Sequence, residues 1–342
     1  MNYRIAVLPG DGIGVEVMAK ACQVLGAVAK GFTLEFAEMS VGANEYLASG
    51  DPLPPATLER AKDYDAILLG AMGLPHVRWP NGTEMTPQID IREQLDLYLG
   101  LRPIRLIDES LSPLKGYRSG EIDLLLIREN TEGLFFSRGA KQQENPPFVE
   151  DIMHVSRVKS ERLFRRAFEH ARLRRNKVTL VDKANVLPSM AYFRRIFLEV
   201  AADYPDVATE CVYVDAMALY LITRPQAYDV VVTENMFGDI LSDLAAGLIG
   251  GMGYAPSADI GDKWAVFQPS HGTAPDIAGK GIANPVAMIL SAAMMLDWFG
   301  TEATRAAARR IERAVAAVDY GAVKGTQAIT ERILEALCTP TS

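Results

Sequence analysis

At 342 residues, 49% of them hydrophobic and 23% charged, the chain is large enough for two domains or one large α/β unit with an ample core. A net charge of −8 excludes broad non-specific binding to nucleic acid, which needs a basic face, but permits a local cationic pocket. Three scattered cysteines (Cys22, Cys211, Cys338), a start without the apolar stretch of a signal peptide, and a longest apolar run (Pro285–Leu296) too short for a bilayer together predict a cytoplasmic enzyme or binding protein.

The first predicted strand is Arg4–Leu8, running into the turn Pro9-Gly10-Asp11-Gly12-Ile13-Gly14 and a helix from about Val15 to Ala29. That turn falls one residue short of the G-x-G-x-x-G dinucleotide fingerprint, so a tight strand-to-helix turn explains it equally well. Strands follow at Phe32–Phe36 and Ala66–Leu69, then a polar loop over Pro75–Pro87 and a helix over Ile89–Tyr98. A new segment begins at Leu101–Leu106, and Ser160–Arg175 has the spacing of an amphipathic helix with Ser160 as its N-cap. Helices are also expected over Leu241–Leu248, broken by Gly250-Gly251-Met252-Gly253, and over Ala303–Ala317. The alternation of strands and helices predicts a largely parallel sheet with crossover helices. Gly272–Lys280 contains Gly-Lys but lacks P-loop spacing, which excludes a Walker-type phosphate loop.

Three apolar strands run straight into ionic residues. Ile122–Ile127 meets Arg128 and Glu129; Val178–Val181 meets Asp182 and Lys183; Val230–Thr233 meets Glu234 and Asn235, with Asp239 and Asp243 beyond. Ligands of open α/β sheets sit outside the carboxyl ends of strands, so this pattern points to a site for a small anion and a metal. Asp239 and Asp243, one helical turn apart, share a face; a hard divalent cation would relieve their repulsion, although charges complementing a helix N-terminus look the same in sequence. Asp215, after Cys211–Val214, is a candidate third ligand. Arg92, Arg102 and Arg128 offer forks that match carboxylates, implying a substrate with at least two. Lys183, beside other cations and a metal, is a candidate base. His271 stands alone among the histidines in a Gly/Pro-rich polar stretch, QPSHGTAPDIAGKGIANP, suited to a nucleotide or to an ordinary surface loop.

These motifs resemble those of the β-decarboxylating dehydrogenases that act on isocitrate, homoisocitrate, 3-isopropylmalate, tartrate and D-malate. The resemblance runs through LPGDGIG, REQLDLYLGLRP, IRENTEG, DKANVLP, VDAMALYL, TENMFGDILSDLAAGLIGGMG, HGTAPDIAGKGIANP and SAAMMLDW, nearly the whole chain. It implies an α/β, non-Rossmann, two-domain fold of the isopropylmalate/isocitrate dehydrogenase type. Residues 1–98 and 250–342 would form a cofactor-binding domain, and residues 99–249 a central substrate, metal and dimerisation domain. It further implies a homodimer with shared active sites, in which Asp239 and Asp243 hold Mg2+ or Mn2+ with the partner's Asp215, and the partner's Lys183 takes the hydroxyl proton. Arg92, Arg102 and Arg128 would grip the malate carboxylates of a di- or tricarboxylate substrate, with Thr86, Gln88, Phe135 and Asn185 also against it. NAD would lie along His271, Gly272, Thr273, Ala274, Pro275, Asp276, Ile277 and Asn284, with Asp276 accepting from the ribose and repelling a 2′-phosphate. No nucleic acid or membrane partner is implied.

Two departures from the family pattern stand out. Phe135 occupies the place of a tyrosine that usually protonates the enol, and Gln268 stands where a glutamate is common. The first leaves a non-catalytic regulatory or scaffolding subunit as an alternative to an active enzyme, although the arginines, the lysine and the carboxylates are all retained. Thr86 and Gln88 lean towards a polar or carboxylate-bearing side group on the substrate, while Pro87 and Ile89 leave room for an apolar one.

Overall fold

The computed structural model describes residues 1–139 and 147–339. Its strands are β1 (Asn2–Leu8), β2 (Thr33–Glu38), β3 (Ala66–Leu69), β4 (Leu99–Arg105), β5 (Asp123–Glu129), β6 (Lys177–Asp182), β7 (Ala208–Tyr213), β8 (Val230–Thr233), β9 (Pro256–Ile260) and β10 (Ala265–Pro269). The α-helices are α1 (Ile13–Val28), α2 (Ala43–Ser49), α3 (Pro55–Ala61), α4 (Pro87–Gln94), α5 (Arg157–Arg172), α6 (Pro188–Ala201), α7 (Val214–Thr223), α8 (Asn235–Leu248), α9 (Val286–Trp298), α10 (Glu302–Ala316) and α11 (Thr326–Cys338).

All ten strands join one sheet in the order β2-β1-β3-β10-β9-β4-β5-β8-β6-β7. Pairing is parallel at each end of this order, but β10–β9, β9–β4 and β4–β5 are antiparallel. The two halves of the sheet therefore run in opposite directions and meet in its middle. The expectation of a largely parallel sheet holds for the flanks and fails at the centre, because β9 and β10 form a hairpin whose short apolar strands give no sign of direction.

Period-2 alternation sorts each strand between two faces. Ile5, Val7, Leu68, Leu99, Leu125, Ile127, Leu180, Val232 and Phe267 pack with α1, α5, α6, α9, α10 and α11 in one continuous core. The opposite face carries two separate clusters. Leu8, Ile67 and Val266 pack with Leu58 of α3 and Ile91 of α4, while Leu124, Leu126 and Val231 pack with Leu221 of α7 and Leu241 of α8. Between them, on the same face of the central strands, the alternation delivers Arg102, Arg128, Ser257, Asp259 and Gln268, all buried. A polar strip flanked by two apolar clusters makes a cleft at the point where strand direction reverses.

Several boundaries depart from the sequence reading. The helix expected over Ile89–Tyr98 starts at Pro87 and stops at Gln94, because Asp96 takes a left-handed conformation (φ 49°) and returns the chain into β4. The helix expected from Ser160 begins at Arg157, with the Ser156 hydroxyl accepting from Lys159 N; Ser160 is buried and donates back to Ser156 O at 2.7 Å. Arg128 and Glu129 lie inside β5 rather than beyond it. The turn that resembles a dinucleotide fingerprint is a packing joint. Asp11, fully buried, accepts from the backbone N–H groups of Ala43, Asn44 and Gly73. Gly12 (φ 56°) lies so close to Thr273 O that a Cβ there would approach it to 2.2 Å. No helix is long and apolar enough to cross a membrane among the described residues, and the three cysteines are free thiols.

Candidate active site

A cavity of about 310 Å3 opens in the cleft, lined by Gln88 and Arg92 of α4, Arg102, Arg128, Phe135, Asp239, Ser242 and Asp243 of α8, and the stretch Gln268–Gly272. Each side chain is delivered by a local rule. Pro87 is tolerated in the first turn of α4, whose exposed N–H groups need no partner there, and the helix then projects Gln88 and Arg92 inward. Glu234 caps α8, accepting from Phe237 N at 2.7 Å and Met236 N at 3.1 Å. The next turn carries Gly238, where a Cβ would lie 2.7 Å from Cγ of Arg128; only glycine lets the arginine stem lie against the helix.

The three arginines are fixed before any ligand arrives. Arg128 donates to Asn235 Oδ1 through Nε (3.0 Å) and Nη2 (2.7 Å), and its Nη1 pairs with Asp239. Burial, followed by the neighbouring charge of Arg92, pushes its guanidinium down to about 10. Arg92 Nε donates to Asp259 Oδ2 at 2.8 Å, and Arg102 Nη2 to Asp259 Oδ1 at 3.0 Å. Asn130 Nδ2 also donates to Asp259 Oδ1, at 2.8 Å, and Gln268 Nε2 to its Oδ2. Burial alone would raise the Asp259 carboxyl; Arg92 and Arg102 outweigh it and hold the group far below the ordinary carboxylate range. Among the described residues the Nη atoms of Arg92 make no protein hydrogen bond and remain available to the cavity.

Asp239 and Asp243 stand together at the cavity wall, as their spacing predicts. Burial and the charge of Asp239 raise the Asp243 carboxyl. Two crowded carboxylates, one disfavoured as an anion, suit a hard divalent cation. Among the described residues no three His, Cys, Asp or Glu side chains gather as a complete metal site within one chain. Lys183 and Asp215 pair with each other, Nζ to Oδ1 at 2.7 Å, and neither lines the cavity; Asn185 is exposed beyond them. Lys183 follows β6 and Asp215 opens α7 after β7, and β8 separates both strands from β5, so in a single chain the ends of these strands form a row but not one pocket.

Thr86 also lies outside the cavity, accepting from Arg138 at 3.4 Å within a cluster where Arg138 pairs with Asp90 and Glu93. Gln88 Oε1 is buried in the lining without a partner among the described residues. Phe135 lies 5.3 Å from the Arg128 guanidinium, measured to its ring centre. Beyond His271 and Gly272 the loop is held by Ile13 N donating to Thr273 O at 2.9 Å, with Ala274, Pro275 and Asp276 exposed and Ile277 half-buried. Asn284 Oδ1 accepts from Val286 N at the start of α9, and His271 Nε2 is a buried nitrogen with no partner among the described residues. An open loop with exposed backbone beside a polar cavity fits an extended dinucleotide.

The sequence reading missed Asp259, Asn130, Asn235, Ser242 and Ser257. Asp259 had a signal: a lone carboxylate in the middle of a wholly buried strand, PSADI, must be paired to be tolerated.

The family model for isocitrate/isopropylmalate dehydrogenase matches residues 4–332. The chain is 43% identical to a 3-isopropylmalate dehydrogenase of Aquifex aeolicus, over 98% of this chain and 97% of that protein. It is 46% identical to another from Moorella thermoacetica, over 86% and 85%. Among solved structures it is similar to an isocitrate dehydrogenase from Methylococcus capsulatus, with a TM-score of 0.89, 39% identity, and coverage of 98% of this chain and 100% of that one. A β-decarboxylating dehydrogenase from Thermococcus kodakarensis superposes with a TM-score of 0.81 at 35% identity, covering 98% and 96%.

Proposed function

The chain belongs to the isocitrate/isopropylmalate dehydrogenase family, and from that premise we propose that this dehydrogenase oxidises and decarboxylates a 3-substituted malate with NAD and Mg2+ or Mn2+. The observation that carries the reading is the convergence of Arg92, Arg102, Arg128, Asp239 and Asp243 on one cavity. Guanidinium forks at fixed positions orient two carboxylates, and the cavity wall turns the remaining carbon towards the loop from His271 to Asp276. When bound, the metal would polarise the substrate oxygen and NAD would accept the hydride. The paired carboxylates Asp239 and Asp243 would hold that metal.

The reading needs a second copy of the chain. Leu219 and Ile222 of α7 and Ile240 of α8 are apolar yet 58%, 48% and 58% exposed, on the two helices that pack against the sheet face carrying the cavity. A homodimer joined through these helices would bring the partner's Lys183 and the partner's Asp215 to the first copy's Asp239. The lysine would take the hydroxyl proton, and the aspartate would complete the metal ligands. The sheet supports the two-domain division: the strands of residues 1–98 and 250–342 form one half and those of residues 99–249 the other.

Charge balance bears on the substrate. Three arginines are matched by three carboxylates, Asp239, Asp243 and Asp259, and the partner's Lys183, once protonated, would offset the partner's Asp215, so a divalent metal leaves a site of charge +2. That suits a malate core with an uncharged side group, as in 3-isopropylmalate, and favours the apolar group that Pro87 and Ile89 left open over the carboxylate suggested by Thr86 and Gln88. The test is NADH formation with Mn2+ and a panel of 3-substituted malates. 3-Isopropylmalate should give the highest kcat/KM, chelation of the metal should abolish turnover, and silence towards every member would refute the proposal.

A further inference from the structure

Gln268 is a neutral amide in the cavity lining, and the carboxylate it donates to stands on the neighbouring strand. On β9 and β10 the registered pairs are Val266 with Asp259 and Gln268 with Ser257, so Asp259 and Gln268 are diagonal neighbours on the cavity face. The Gln268 amide donates to Asp259 Oδ2, and the same carboxylate receives Arg92, Arg102 and Asn130.

Resting on the functional reading above, we propose that Asp259 and Gln268 form a positioning pair: Asp259 provides the buried carboxylate that sets Arg92 and Arg102 for the substrate, and Gln268 is the neutral donor that holds it. Every acceptor position on Asp259 is used. Oδ1 takes Arg102 and Asn130, and Oδ2 takes Arg92 and Gln268. The carboxylate is fully buried, so it cannot reach substrate or water and acts only through the arginines it anchors. Arg92 is held through Nε alone, which fixes the plane of its fork and leaves the two Nη atoms to bind a carboxylate bidentately. Arg102 is fixed on three sides, by Asp259, by Leu101 O at 3.0 Å and by Ala258 O at 3.3 Å.

The test compares binding of 3-isopropylmalate by titration calorimetry with Mn2+, alongside KM and kcat with NAD, in three proteins: unaltered, Asp259→Asn and Gln268→Ala. Asp259→Asn should weaken binding and raise KM by about tenfold to a hundredfold, the range for losing charge-assisted hydrogen bonds, with kcat changed far less. Gln268→Ala should weaken binding by about tenfold or less, the range for one neutral hydrogen bond. That split between binding and turnover is one that mere loss of core packing would not give. An Asp259→Asn protein that binds as tightly as the original, or one folded by circular dichroism whose loss lies in kcat rather than in binding, overturns the inference. Should Asp259→Asn fail to fold, Gln268→Ala decides alone: folded with weakened binding and kcat little changed supports the pair, folded with original binding refutes it. An unaltered protein that binds no substituted malate would instead overturn the functional reading, and this inference with it.

Discussion

Phe135 lines the cavity beside the guanidinium of Arg128, and the family resemblance would put there the hydroxyl that returns a proton to the enol. A phenyl ring can pack against the cation but has no proton to give. If reprotonation limits turnover, Phe135→Tyr should raise kcat with 3-isopropylmalate, by up to the roughly hundredfold at the low end of general-acid catalysis. An unchanged kcat in a folded variant would show that another step is slow or that another group already serves. Asp276 makes a separate prediction. Its exposed carboxylate would accept from a ribose hydroxyl and repel a 2′-phosphate. kcat/KM should therefore favour NAD over NADP, and Asp276→Ala should shrink that preference by about tenfold, the equivalent of one modest charge interaction. Equal or better use of NADP by the unaltered protein contradicts this role. At this scale the sequence revealed the residues whose chemistry is unusual where they stand, the arginines and paired aspartates. It gave only a faint sign of Asp259, whose importance depends on four donors from four other segments.

Elements were legible where the chain is locally self-consistent. The short apolar runs Ala66–Leu69 and Val230–Thr233 are strands with those limits, since four buried residues between polar neighbours leave little alternative. The short helices α2 and α3, and the helices α6, α7, α9 and α11, went unread; α2 and α3 hold seven residues each and are stabilised by what they pack on rather than by their own periodicity. In α5 the cap lay four residues earlier than expected, because Ser156 and Ser160 are both capping residues and only burial distinguishes them. That helix also carries a pH prediction. Burial, with Arg166 and Arg174 nearby, pushes the His170 imidazole down from 6.5 to about 4. The folded chain resists a proton that the unfolded chain accepts below 6.5, so stability present above that pH is lost as pH falls towards 4. The melting temperature of the unaltered protein should fall more steeply over that window than that of His170→Gln. Parallel slopes for the two proteins would show that His170 is no more shielded than a surface histidine.

At the scale of the molecule, alternation along each strand separates one continuous core from a second face split by a polar cleft, and the cleft lies where the two halves of the sheet reverse direction. The sequence carried the alternation but not the reversal, which depends on how β9 and β10 meet β4. Nor could one chain reveal why Lys183 and Asp215 stand apart from the cavity; the proposed second copy would account for it. Leu219→Glu in α7 should turn a dimer into a monomer by light scattering and abolish turnover with it, whereas an active monomer would show the site complete in one chain. The sharpest test of the shared site mixes two inactive proteins, Lys183→Ala and Asp239→Asn, after dissociation and reassembly. If the base comes from the partner, half of the dimers carry one intact site, and activity should return to about one quarter of the original. If Lys183 acts within its own chain, every site in the mixture keeps a lesion, and no activity will return.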